Sequence, residues 1–168
     1  MYFFVPYNLS PIQQAIQAGH AALEYANKFN LTPEFKDFIT NDKTWIILNG
    51  GTTNAGTDEN NVPIGSLNQI REQLLCNKIS ISCFYEPDLN NALTAVCFLA
   101  DERVWDHETY EDFMQYLKRT NANELFYHLM LEEIIEDVYA DDYKIWEKNI
   151  GGKQNIFLRN LIAGKKLA

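Results

Sequence analysis

The stretch Ser10–Tyr25, SPIQQAIQAGHAALEY, follows directly on the apolar run Tyr2-Phe3-Phe4-Val5, and this order constrains the fold most. Ser10 with Gln13 three residues on is a capping box, and Pro11 falls at the first helical position, where its missing N–H costs nothing. Ile12, Ala15, Ile16, Gly19, Ala22, Leu23 and Ala26 recur at helical spacing. The sequence therefore predicts a helix whose small, apolar face lies close against a sheet. On that reading Gly19 belongs to the packed contact, and a larger side chain there would overpack it. Gln13, Gln17 and His20, spaced i, i+4, i+7, project from nearly one side of the same helix. A strand, a short loop and a helix whose first turns carry a polar stripe make a common setting for a binding site.

The rest of the chain reads as more of the same architecture. Thr32-Pro33 caps and opens a second helix, with Phe35, Phe38 and Ile39 inward, ending near Asn41. Thr44–Leu48 reads as a short buried strand. Ser66-Leu67-Asn68-Gln69 is a second capping box, opening a helix with Leu67, Ile70, Leu74 and Leu75 inward. Ile79–Tyr85 alternates apolar and polar residues, and Leu93–Leu99 is a continuous apolar run of the central-strand type. Together these predict an α/β fold: a small mixed four-stranded sheet flanked by helices, over residues 1–106. Beyond residue 106 the pattern turns helical: Tyr110, Phe113, Met114 and Leu117, then Leu125, Leu129, Ile134 and Val138, then a helix from Asp141 and one after Gly151-Gly152. Residues 107–168 are expected to form a helical extension packed on the first domain.

Between the second and third helices lies Asn49–Gly65, NGGTTNAGTDENNVPIG, with no apolar period. Such a loop is either a mobile surface insertion or a lid whose glycines let backbone N–H groups approach a phosphate or sugar. No Gly-Lys-Ser/Thr closes it, so it is not a P-loop.

Charge limits the partners. The chain carries −9, of which residues 1–106, with 6 Lys+Arg and 12 Asp+Glu, contribute −6. A protein gripping the body of a nucleic acid needs a basic footprint, and only the tail offers one, at Lys153, Arg159, Lys165 and Lys166. The balance favours a small ligand, a nucleic-acid 3′ end or a protein; a homo-oligomer stays open. No apolar run is long enough for a bilayer, and the three cysteines, Cys76, Cys83 and Cys97, lack C-x-x-C spacing. The sequence thus reads as a cytoplasmic protein without membrane partner, cofactor or metal, its cysteines small buried apolar residues.

Gln17-Ala18-Gly19-His20-Ala21-Ala22 resembles the A-Q-C-S-H-A-A segment in the first helix of type II peptidyl-tRNA hydrolases. The resemblance extends more weakly to about residue 100, with Glu86-Pro87-Asp88-Leu89-Asn90 standing where that family has D-A-G-R-T. It implies hydrolysis of the ester joining a peptide to a tRNA 3′ end, by a Lys in the first helix, an Asp after the third strand and Thr residues arranging a water. By position these fall on Gln13, Glu86, Asn90 and Thr94, with Gln17 and His20 retained. The departures weaken that chemistry: Gln13 supplies no positive charge, Glu86 works as a base only if the backbone sits further back, and Asn90 lacks the hydroxyl.

Each candidate has a plainer reading beside it. His20 serves equally as a packing residue, and Glu86 and Asp88 equally as turn acids capping backbone N–H groups. His128 and Glu132 at i, i+4 are a weak metal pair without further ligands. Two function classes follow. One is a divergent hydrolase acting at Gln13, His20, Glu86, Asn90 and Thr94 on a nucleotide-derived ligand, which Gln17, Asp88 and the loop start Asn49, Gly50, Gly51 and Thr52 would help hold. The other is a non-catalytic binder of a nucleotide-like molecule or a protein, of which a phage-encoded anti-defence sponge for a host nucleotide signal is one form.

Overall fold

In a computed structural model, the structure describes residues 1–168 except 54–56, 63, 122–123, 126–127, 130 and 132. The chain divides into two compact units, residues 1–100 with 164–168, and residues 101–163. The first is mixed α/β around a four-stranded sheet in the order β2-β1-β4-β3. Its strands are β1 (Tyr2–Val5), β2 (Ile46–Asn49), β3 (Ile81–Glu86) and β4 (Ala92–Phe98). β1 pairs parallel with β2 and antiparallel with β4, and β3 pairs antiparallel with β4. The β1–β2 crossover carries α1 (Pro11–Phe29), α2 (Pro33–Asp37) and a π-helical turn (Phe38–Asp42), so the predicted second helix changes its hydrogen-bond pattern after Asp37.

α1 starts as its capping box dictates: the Gln13 amide N–H donates to Ser10 Oγ, and the Ser10 N–H donates back to Gln13 Oε1 at 3.0 Å. Which face it buries differs from the expectation. Ile12, Ile16 and Leu23 are exposed, at 75%, 50% and 70%. A Cβ built on Gly19 would meet nothing within 4 Å. The inward residues are Gln14, Gln17, Ala18, Ala21 and Tyr25, which meet Phe3, Val5, Ala95 and Cys97 of the sheet. The small-residue contact exists, but Ala18 and Ala21 make it. Two glutamines turn inward because Pro6 O, Glu86 and Thr94 supply acceptors and a donor for their amides, which removes the usual cost of burying them.

The opposite sheet face carries Tyr2, Phe4 and Phe98, whose rings stack at 5.8 and 6.1 Å, and faces α3 (Ser66–Cys76). Gly65, not Ser66, caps α3, and Leu75 is exposed, as is Ile39 on the π-helical turn; both depart from the expected inward sets. The chain end returns to this unit: Leu167 bridges Leu48, and the Asn49 N–H donates to Lys166 O at 2.9 Å. The main run of the first unit thus ends at Ala100, and residues 164–168 rejoin it.

The second unit contains α4 (Glu102–Trp105), α5 (Phe113–Thr120), α6 (Ile135–Val138), α7 (Ala140–Asn149) and α8 (Lys153–Ile162). Of the helical pattern read through Leu125, Leu129, Ile134 and Val138, the described residues 124, 125, 128 and 129 are helical and α6 is a separate short helix, with Ile134 and Val138 exposed. Asp141 lies inside α7 rather than capping it. The core gathers Phe113, Leu117, Leu125, Ile135, Trp146 and Ile150. Arg159, 4% exposed, donates to Asp112 Oδ1, Arg103 O and Tyr110 O, so a single guanidinium ties α8 to the loop before α5. Its Nη2 also lies 2.7 Å from His107 Nδ1, which accepts when the His107 proton sits on Nε2.

Candidate functional site

Three of the sequence-predicted site residues meet between α1 and the β3–β4 hairpin. Thr94 Oγ1 donates to Gln17 Oε1 at 2.6 Å, and Gln17 Nε2 donates to Glu86 Oε2 at 2.8 Å. A β-bulge makes this meeting possible. Phe84 pairs with Ala95 but Tyr85 pairs with Leu93, leaving Thr94 as the extra residue. Strict alternation would send Thr94 away from the face that Ala95 and Cys97 share with α1; the bulge re-aims it. Periodicity in the sequence carries no trace of this.

Burial sorts the cluster. Thr94 is fully buried and Gln17 is 7% exposed, whereas Glu86 is half-buried and keeps its second carboxylate oxygen free of described partners. Thr94 also lies 3.3 Å from Phe84 O. Both ends of the Gln17 amide are thus occupied by protein. Beside this cluster, exposed His20 stacks on Phe84 with ring centroids 4.3 Å apart and planes 16° off parallel. Sequence reasoning missed Phe84 as a site residue. Its signal was the i, i+2 spacing to Glu86, which puts both on one strand face.

The other predicted residues sit elsewhere or are already engaged. Gln13 is exposed and spent on the capping box, so the stripe Gln13–Gln17–His20 divides into a cap, a buried anchor and an exposed ring. Gln14, absent from the predicted set, is buried and donates to Pro6 O at 3.0 Å. Asn90 is exposed in a left-handed conformation (φ 54°), closing the turn after Pro87–Leu89, and Asp88 is exposed in the same turn.

The loop start is engaged too. The Gly50 N–H donates to Val5 O, the Gly51 N–H to Asn49 Oδ1 and the Thr52 N–H to Ser66 Oγ, at 2.8, 2.7 and 2.8 Å. Gly50 is needed for close approach, since a Cβ there would lie 2.7 Å from Leu67 Cδ1. Gly51 is needed for its φ of +83°. These glycines close the chain onto α3 and leave none of those three N–H groups for a phosphate. The remainder of the proposed lid includes 54–56 and 63, outside the described residues.

Among the described residues no group of His, Cys, Asp and Glu could hold a metal ion. Glu132 lies outside them, and His128 Nδ1 sits 2.5 Å from Glu133 Oε2. The cysteines are unequal. Cys97 is buried, donates to Ala21 O at 3.2 Å, and burial pushes its thiol up to about 12. Cys83 is half-buried, and Cys76 is exposed, against the expectation of burial.

A separate feature lies along the outer side of α1. An open groove of about 680 Å³ runs over Gly19, Ala22 and Ala26, with Ile16 and Leu23 on one side and Phe38, Ile39 and Trp45 on the other. Among the described residues no helix is long and apolar enough to cross a membrane. Compared with known proteins, the sequence matches no family model and no curated protein.

Proposed function

We propose that this chain binds, without hydrolysing, a small nucleotide-derived ligand, on a scaffold of the type II peptidyl-tRNA hydrolase kind. The observation that carries the reading is the state of Gln17: its carbonyl is taken by the buried Thr94 hydroxyl and its amide N–H by Glu86. A hydroxyl with no exposed surface cannot orient an attacking water, and a buried amide held at both ends is aimed at Glu86 and Thr94 rather than at a developing oxyanion. The position that the resemblance assigns to a lysine is Gln13, a neutral residue bonded to Ser10. The lysine's charge is thereby absent, and Gln13, Gln17 and Thr94 are engaged in holding the fold.

What stays open at the surface suits binding. The free oxygen of Glu86 accepts from a base amine or ribose hydroxyl, and the His20–Phe84 pair beside it offers a planar face on which a nucleobase stacks. Asp88 and the −9 charge disfavour a long phosphate chain and leave a nucleoside or a lightly charged nucleotide as the fitting class. A sponge for such a molecule needs no turnover.

The test is native mass spectrometry of protein purified from cells, repeated on Glu86→Ala and His20→Ala. The expected result is a small nucleotide-like mass retained by wild type and lost from both variants. Wild-type protein that carries no such mass and binds no nucleoside or nucleotide by calorimetry would overturn the proposal.

A further inference from the structure

Beside the ligand site, with which it shares only His20 as a lining residue, we propose that the outer face of α1 is a self-association surface, on which two copies pack with their α1 helices side by side and parallel. Ile12, Ile16, Gly19, Leu23 and Ala26 recur at alternating spacings of four and three, the pattern of a seam that meets another helix. In a monomer this seam would face water, although α1 already buries its opposite face against the sheet. Together with Ile39 and Trp45, which are 45% and 46% exposed, its large side chains leave on the order of 500 Å² of apolar surface in one patch. Two such patches brought together bury about 1,000 Å², the lower bound for a specific interface.

The patch is complementary to itself. At about 100° per residue, Ile12, Ile16 and Leu23 fall within ~40° and make a ridge, while Ala15, Gly19, Ala22 and Ala26 fill the ~60° beside it. The small side is the floor of the groove, walled beyond by Phe38, Ile39 and Trp45. A two-fold axis parallel to the helices turns the ridge of each copy onto the floor of the other. Ile16 then seats over the partner's Gly19, and Leu23 over the partner's Ala22 and Ala26, and the same contacts recur in reverse, as an isologous interface requires. An antiparallel pair would instead set ridge against ridge and leave both grooves empty. The only charged side chains on α1 are Glu24 and Lys28, outside this seam, and Lys43 is the one Lys, Arg, Asp or Glu lining the groove, so little charge opposes the approach despite the net −9. The open space over Gly19 is what admits the opposing side chain.

The experiment is sedimentation velocity through the micromolar range on wild type, Leu23→Glu and Gly19→Leu. It is paired with oxidative crosslinking of Ile12→Cys in a Cys76→Ser background, because Cys76 is the exposed native thiol. The expected result is a concentration-dependent dimer for wild type and a monomer for both α1 variants, with circular dichroism and dilute-solution melting showing both still folded. In the parallel pair the Ile12→Cys thiols lie across the axis and crosslink rapidly. A wild-type monomer at every concentration would overturn the proposal, as would a dimer unaffected by Leu23→Glu. So would a dimer whose Ile12→Cys form fails to crosslink, since an antiparallel pair holds those positions ~20 Å apart. Wild type that is monomeric because a small apolar molecule or a different protein fills the groove overturns it equally.

Discussion

Replacing Gln17 by Ala separates a structural role from a catalytic one, and its cost follows from the contacts. The substitution removes the 2.6 Å bond from Thr94 and the 2.8 Å bond to Glu86. The Thr94 hydroxyl, fully buried, falls back on Phe84 O at 3.3 Å, a weaker partner, so it is not wholly orphaned. The bond to Glu86 is charge-assisted but half-exposed and is discounted accordingly. At about 1 kcal/mol for the first bond and a similar amount for the second, plus the lost packing of a buried side chain, the variant should lose about 2–3 kcal/mol. For a chain of this length each kcal/mol moves Tm by about 2–4 °C, so melting should fall by roughly 5–10 °C. Thermal unfolding by circular dichroism reads this directly. Thr94→Val removes the same bond from the other side, and a double-mutant cycle should return a coupling of about 1 kcal/mol between the two positions. A Gln17→Ala protein that melts like wild type, with zero coupling to Thr94, would refute the argument.

Other expectations are as definite. Gly19→Leu, in dilute solution, should melt at or slightly above wild type, because the site is open and a helix gains up to about 1 kcal/mol on losing a glycine, whereas Ala21→Leu should cost about 1–3 kcal/mol by overpacking the true α1–sheet contact. Under native conditions an alkylating reagent should modify Cys76 quickly and Cys97 only on unfolding, since Cys97 is buried and its thiol is pushed up to about 12; equal rates would count against the packing described. Burial pushes the Asp112 carboxyl up, but the hydrogen bonds and charge of Arg159, with His107 adding to them, outweigh it and hold the group below the usual carboxylate range. A lowered pKa means stability that is present above the unfolded value and lost as pH falls through the folded one. Asp112→Asn, discounted for its half-exposed carboxylate, should therefore cost about 1 kcal/mol near neutrality, with the gap to wild type closing below about pH 4 in acid titrations followed by fluorescence; a gap that widens in acid would contradict the assignment.

Much of the fold was legible in local signals. Ser10-Pro11 fixes where α1 begins because a cap and a proline act within one turn, and the apolar run Leu93–Leu99 gives β4 because a strand buried on both faces needs no alternation. The facing of α1 was not legible. Ile12, Ile16 and Leu23 at helical spacing read as a core face, yet the pattern identifies an apolar stripe without saying what covers it. Two glutamines take the inward side because folding brings them partners: Thr94 and Glu86 from distant strands for Gln17, and Pro6 O at the end of β1 for Gln14. The site was half legible for a related reason. Gln17, Glu86 and Thr94 were named from the resemblance, but the bulge that brings Thr94 to α1 is a property of two paired strands. The engagement of the Gly50, Gly51 and Thr52 N–H groups depends on Val5, Asn49 and Ser66, a set closed only by folding.

The central claim is that the site at Glu86 and the His20–Phe84 pair binds without turning over. Its most direct test incubates the molecule recovered from purified protein with a stoichiometric amount of wild type and follows its mass over hours, with Glu86→Gln in parallel. The account predicts that the molecule stays bound and chemically unchanged with wild type. Conversion to a hydrolysed product by wild type, lowered by about two orders of magnitude or more in Glu86→Gln, would contradict it and assign Glu86 the work of a general base.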